Sequence, residues 1–434
     1  METITSSDRR AFMKWISALP LLGYVSAQGV LNKAFGATLR RNLSDNIYTH
    51  IGVRPIINAR GPWTYISGSL ELPEVKAAKQ RAAEYFVDIW ELQRAVGKRL
   101  AELSGAEAGM VTSGAAGAIA AATAACIAGT DPAKVWQLPD TTGLKSEVVL
   151  TEGRSAFDSA VRLAGGKVVP VRTVEGLQSA LNANTAMVYT MSKGDFLEKI
   201  LAVTKKARVP LLVDWADGIP PMSRFSEPAK MGVELYTVSG GKGLCGPQCA
   251  GVLLGRKDLI EAALANCSPW EGAVCRPMKV GKEEIMGMLA ALEAWSKMDT
   301  AVLNQEWNKY VKRIATMVES VRGVTTEITV PTEENSCPTL TVKWDPTIHL
   351  TVEECVKQLR GGDPRIEVLS GNNPSLVPAV HEGAVGPEPE KRSAAPRRPG
   401  ATEIRLLSIN LQPGEDMLIG RRLREILGAA RKPA

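Results

Sequence analysis

Val238-Ser-Gly-Gly-Lys-Gly-Leu-Cys-Gly-Pro-Gln-Cys-Ala-Gly-Val-Leu-Leu-Gly255 is the stretch on which the fold of this chain turns. One lysine, Lys242, stands between glycines, with Ser239 three residues before it and an apolar strand, Val252 to Leu254, after it. Glycine lets a backbone turn tightly and come close to a ligand. Burial lowers a lysine's pKa and frees its amine to attack carbonyls, as a Schiff-base lysine requires. A solvated loop lysine among glycines has the same local sequence, so the surrounding chain decides between the two.

From Glu147 to Leu254 apolar and amphipathic segments alternate. Strands are expected over 148–150, 167–171, 186–190, 209–214, 235–239 and 249–254, with helices over 155–164, 174–181, 196–207 and 228–231. Such alternation implies a buried, mostly parallel sheet covered by helices. Ligands of these sheets sit beyond the carboxyl ends of the strands. Three features fall there. Asp214 ends the run Val209-Pro-Leu-Leu-Val-Asp, and a buried carboxylate needs a partner, either a structural cation or helix start or a protonated ring nitrogen. Met110-Val-Thr-Ser-Gly-Ala-Ala-Gly-Ala-Ile119 reads as strand, small-residue turn and helix, with Ser113, Gly114 and Ala115 at the helix start. Free N–H groups there suit a phosphate, and a tight helix-packing start is the equal alternative. Lys242 is the third.

Together they fit pyridoxal 5'-phosphate, whose aldehyde needs an amine, ring nitrogen an acid, and phosphate N–H donors. The chain resembles the fold-type I pyridoxal-phosphate enzymes, in the branch of selenocysteine synthase (L-seryl-tRNA(Sec) selenium transferase) and D-glucosaminate-6-phosphate ammonia-lyase. The resemblance rests on Gly52-Val-Arg-Pro-Ile-Ile-Asn-Ala-Arg-Gly61, Gly105-Ala-Glu-Ala-Gly-Met-Val-Thr-Ser-Gly-Ala-Ala116, Val213-Asp214, Ser239-Gly-Gly-Lys-Gly-Leu-Cys-Gly-Pro-Gln248 and Arg276-Pro-Met-Lys-Val-Gly-Lys-Glu-Glu284. It implies an aspartate aminotransferase-like α/β fold and a homodimer or higher homo-oligomer. It makes Lys242 the Schiff-base lysine and general base, Asp214 the partner of the ring nitrogen, and Ser113, Gly114, Ala115 and Ser239 the phosphate holders. Relatives often place a histidine over the cofactor in the segment matching 152–158. This chain has none there, which leaves Phe157 or Arg154 for that role. Arg60, Arg276 and Lys279 are candidates for the substrate's anionic groups.

Domains are expected at 1–37 (export signal), 38–72 (an arm), 73–298 (large, cofactor-binding) and 299–434 (small, α+β). Helical periodicity runs as one pattern from Pro73 to about Leu103. In the small domain strands are expected over 325–330, 339–344, 365–369 and 403–410, alternating with helices near 351–360 and 415–427. The export reading comes from Asp8-Arg-Arg-Ala-Phe-Met-Lys14 and the short apolar run 15–27, a twin-arginine pattern. That run is broken by Pro20 and Gly23 and is too short to span a bilayer. A mobile loop is expected over 381–400, rich in proline, glycine and charge.

With 434 residues, 45% apolar and 23% charged, the composition is that of a globular protein with a sizeable core. The net charge of +6 is modest and no aromatics interleave with the basic residues, so nucleic acid is not the expected partner. A small amino substrate is. Seven cysteines with irregular spacing form neither a disulfide framework nor a standard zinc pattern, so no metal is expected. Gly241-Lys-Gly-Leu-Cys-Gly246 spells a dinucleotide-type glycine string, but Pro247 follows where a helix has to open. The function expected is elimination from an amino acid or amino sugar acid. The alternatives are selenium transfer to seryl-tRNA and a non-catalytic exported binding protein.

Overall fold

A computed structural model describes residues 43–332, 336–370 and 402–431. The export signal and the loop expected over 381–400 lie outside the described residues.

The strands, in chain order, are β1 (Ile56–Asn58), β2 (Ala108–Thr112), β3 (Glu147–Leu150), β4 (Lys167–Pro170), β5 (Thr185–Thr190), β6 (Leu211–Asp214), β7 (Leu235–Ser239), β8 (Gly251–Gly255), β9 (Val324–Thr329), β10 (Thr339–Trp344), β11 (Arg365–Glu367), β12 (Leu369–Ser370) and β13 (Glu403–Leu407). Seven of them form the central sheet in the order β2-β8-β7-β6-β5-β3-β4. All pairings are parallel except those of β8, which runs against both β2 and β7. Parallel neighbours need a long crossover, whereas the turn through Lys242 returns the chain beside β7 directly. Because β8 is reversed between two strands of like direction, β2, β7 and β6 all end at one edge of the sheet.

The helix Gly114–Ala128 lies against this sheet and is buried almost all round. Its sequence of alanine and glycine makes that arrangement possible: small side chains give a thin rod that packs close to strands, and alanine favours the helix intrinsically. Its residues belong to one apolar core with Met110, Leu150, Met187, Leu212 and Leu253. Gln93 covers the exposed flank of β2, its side chain donating to the Val111 carbonyl (2.8 Å) and accepting from the Val111 amide (2.9 Å). An edge strand otherwise offers unpaired groups to other chains.

A second core forms around β10, β13 and the helices Thr300–Glu319 and Glu415–Ala429. It takes in Ile57 and Ala59 from the segment expected to be an arm, because β1 pairs in parallel with β11. The strand expected over 365–369 is two strands: β11 faces β1, while β12 pairs with β13 in the four-stranded sheet β12-β13-β10-β9. The helix expected from Pro73 to Leu103 is also two, Pro73–Ala82 and Ile89–Ser104. Asp88 starts the second by accepting from the Glu91 amide at 2.9 Å, an N-cap inside what periodicity reads as one helix.

Candidate active site

The pairing register brings three chain segments together. Thr112 and Ser239 both face Gly251 across β8, and Asp214 faces Thr237 across β6 and β7. Strands lie about 4.8 Å apart, so Ser113, Ser239 and Asp214 lie within a few strand spacings of one another along that edge.

Asp214 is 8% exposed. Its carboxylate accepts from the Tyr189 hydroxyl at 2.9 Å and from the Ala216 amide at 3.0 Å. Burial pushes its pKa upward, against the pull of Lys242, the Ala216 amide and Tyr189. Burial, and then Asp214 itself, push the Tyr189 phenol upward, so that hydroxyl stays protonated and donates. Among the described residues Asp214 makes no ion pair within 4 Å, and the charge of Lys242 acts on it from farther off. Both of its hydrogen-bond donors are neutral, so a cation placed beside it would offset the cost of burying its charge.

Lys242 lies in the turn between β7 and β8 and lines a cleft of about 640 Å³ with Asp214, Phe157, Ser192, Lys193 and Asp217. The turn is held on all sides. Gly240 donates to the Ala250 carbonyl and Gly246 to the Gly240 carbonyl, each at 2.8 Å. Ser69 donates through its hydroxyl to the Lys242 carbonyl (2.7 Å) and through its amide to the Gly241 carbonyl (3.1 Å). Trp295 donates to the Leu244 carbonyl at 2.8 Å. The glycines serve this packing. A Cβ on Gly243 would stand 2.2 Å from the Ile219 carbonyl oxygen. The close approach expected of a ligand is made by the chain's own backbone.

Ser113 caps the helix Gly114–Ala128 by position, without a side-chain hydrogen bond to the helix. A Cβ on Gly251 would stand 2.5 Å from the Gly114 carbonyl carbon, so β8 runs directly beneath the helix start. Ser113 lines a narrow crevice with Thr112, Cys267, Cys275 and Met278 rather than the cleft itself. Phe157, 43% exposed, lines the cleft. Arg154 pairs instead with the buried Asp158.

The three substrate candidates are dispersed. Arg60 is 1% exposed, donates to the Val368 carbonyl at 3.2 Å and stacks over Trp63 and Tyr65; it is not among the residues lining the cleft. Burial lowers its pKa. Arg276 is half-buried near Glu271 at 3.8 Å, and Lys279 is exposed. Two charged residues that sequence reasoning passed over, Lys193 and Asp217, do line the cleft. Lys193 pairs with Asp217 at 2.6 Å and lies 5.5 Å from the Trp215 ring. Both follow strand ends, β5 and β6, so the rule that singled out Asp214 also reaches them.

The Aminotransferase class-V family matches residues 170–349. D-glucosaminate-6-phosphate ammonia lyase of Salmonella typhimurium is 30% identical over 339 residues, spanning 74% of this chain and 88% of that protein. The 5'-C-glycyluridine monooxygenase-decarboxylase of a Streptomyces species is 32% identical over 296 residues, 64% of this chain and 72% of that one. L-seryl-tRNA(Sec) selenium transferase of Proteus mirabilis is 27% identical, covering 64% and 59%. Among solved structures, that of a D-glucosaminate-6-phosphate ammonia-lyase superimposes with a TM-score of 0.72 at 28% identity, covering 89% of this chain and 99% of that one. Serine palmitoyltransferase of Sphingomonas wittichii, at 14% identity and TM-score 0.52, shares the fold.

Proposed function

The chain belongs to the fold-type I pyridoxal-phosphate enzymes of the D-glucosaminate-6-phosphate ammonia-lyase family, and from that premise we propose that it is a lyase removing ammonia or a β-substituent from an amino acid or amino sugar acid. One observation carries the site assignment: Lys242 and the buried Asp214 share one cleft.

The residues fit the cofactor. Lys242 supplies the amine for its aldehyde, Asp214 the acid for its ring nitrogen, and the helix start at Ser113, Gly114 and Ala115, with Ser239, the donors for its phosphate. When bound, the cofactor supplies an electron sink for the carbanion left by proton removal. Asp214 keeps a proton at the ring nitrogen, and Tyr189 fixes the carboxylate's orientation. With the cofactor bound, the Lys242 amine would serve as the base that takes the proton next to the substrate nitrogen. Phe157 covers one side of the cleft and limits water there. Lys193, with Asp217 holding its ammonium, offers a cation to an acidic substrate group at the strand-end side of the cleft. Arg276 and Lys279 stand with the segment that reaches Ser113, where a second anionic group could bind.

The relatives differ in named reaction, so the cleft lining rather than the fold selects the chemistry. Selenium transfer has the weaker support, since those relatives are matched at lower identity and over less of their length. The reading also includes a homodimer or larger homo-oligomer, supported by the exposed run Tyr85, Phe86 and Val87, of which Phe86 is fully exposed. It includes twin-arginine export as well, supported by the pattern at residues 8–14.

The test is ammonia release by cofactor-loaded protein from D-glucosaminate 6-phosphate and a panel of amino acids, with the visible spectrum followed during titration. Release with a spectral change supports the reading. Spectral change without any product favours a binding protein, and a salt-sensitive gel shift with seryl-tRNA favours the transferase.

A further inference from the structure

We infer that Cys267 and Cys275 form a two-thiol site that closes to a disulfide in the wall of the crevice beside Ser113. The two residues are partners in an isolated parallel β-bridge, fastened by the Cys275 amide donating to the Asn266 carbonyl at 3.1 Å. Bridge partners lie about 4.8 Å apart, inside the roughly 4.4–6.8 Å between Cα atoms that a disulfide needs. Their side chains reach the same crevice. Cys275 is 1% exposed while Cys267 is only partly buried, so an oxidant meets Cys267 first. Among the described residues no group of three histidines, cysteines or acids is arranged to hold a metal, so the pair has no ligand set to join.

The step is a thiol–disulfide exchange. The Cys267 thiolate attacks one sulfur of a disulfide oxidant, whose S–S bond breaks and releases one thiolate. Cys275 then attacks the Cys267 sulfur, the Cys267–Cys275 bond forms and the second thiolate leaves. The two thiol protons end on the two released thiols, and the pair loses the two electrons the oxidant gains. The Cys275 thiol, and then burial, hold the Cys267 pKa well above its ordinary range, so exchange at neutral pH is slow. The pair therefore follows the lasting redox poise of its surroundings rather than brief pulses of oxidant. Closing it ties the end of the helix Lys257–Ala265 to the turn that leads to Arg276 and Lys279.

The tryptic peptide 258–279 carries both cysteines and no other, because Pro277 protects the Arg276 bond. Full-length folded protein is incubated for hours at mildly alkaline pH with glutathione disulfide, then alkylated, digested and weighed. In the expected result this peptide is lighter by two hydrogens and takes up alkyl groups only after reduction. Cys267→Ser and Cys275→Ser each leave one thiol, free or glutathione-bound. The inference is overturned if the wild-type peptide is alkylated at both cysteines, if it stops at a glutathione adduct on Cys267, or if linkage arises only after unfolding in urea.

Discussion

Gly243→Ala probes the fixed position of Lys242. The added methyl would meet the Ile219 carbonyl oxygen at 2.2 Å and Pro220 Cδ at 2.7 Å, both on the chain that follows β6. Reaching ordinary contact at about 3.4 Å requires the Lys242 turn and the Ile219 segment to part by roughly 1.2 Å. Neither side yields easily, since hydrogen bonds from Ser69 and Trp295 and the 2.8 Å closures at Gly240 and Gly246 hold the turn. Overpacking of this kind costs about 1–3 kcal/mol, a few degrees of melting temperature. A displacement of about 1 Å at a reacting amine lowers rates on the order of 100-fold. The assay is stopped-flow loading of apo-protein with pyridoxal phosphate, with borohydride fixing the yield, beside a melting curve. A Gly243→Ala variant that loads at the wild-type rate and melts within about 1 °C of wild type refutes the packing argument.

Lys242→Ala should fold normally yet retain no cofactor after borohydride treatment and denaturation; mass spectrometry reads this, and a fixed adduct at another lysine would displace the assignment. For Asp214→Asn the sign depends on the cofactor. The folded pKa of Asp214 is raised, so its stabilising contribution is present below the unfolded value of 3.8 and is lost as pH rises through the folded pKa. At neutral pH the Asn variant should therefore melt above wild type without cofactor, and bind cofactor about 10- to 100-fold more weakly, as for loss of a charged hydrogen-bond partner. Equal apo melting curves from pH 5 to 8 would count against it. Lys193→Met removes one partner of Asp217 from a partly exposed pair at the cleft, which costs about 1 kcal/mol, and Asp217→Asn in the same chain should recover part of that. Strictly additive losses in the double-mutant cycle would mean the pair is not coupled.

Much of the central sheet is legible because its strands are buried on both faces and bounded by turns. β7 and β10 have the expected ends, and Asp214 and Ser113 stand out as polar residues where apolar runs stop. Direction is less legible. Nothing in Gly251–Gly255 says that β8 is antiparallel, since that depends on the length of the return through Lys242. The break at 83–88 hides because Tyr85, Phe86 and Val87 continue the apolar texture although they are exposed. β1 escapes because a three-residue strand carries no periodicity, and its pairing with β11 joins residues some 300 positions apart, which local sequence cannot express. Arg60 reads as a ligand-binding cation because a charge in an irregular segment draws attention. Its place is fixed by Trp63, Tyr65 and the Val368 carbonyl, where the chain passes from one sheet to the other.

The Lys242 turn is gripped from in front by chain far upstream. Ser69 takes two of its carbonyls, the Leu72 amide donates to Cys245 at 2.9 Å, and Asn410 reaches the neighbouring Gly68 carbonyl at 3.1 Å. The backbone that carries Lys242 is therefore tied to both cores at once. Loosening of the Gly68–Leu72 strap, even far from the cleft, leaves the lysine backbone free to wander. Conversely, any ligand that fixes the amine steadies the strap and, through Asn410, the C-terminal core. Exchange of the Ser69 and Leu72 amides with solvent is where that mutual restraint becomes measurable.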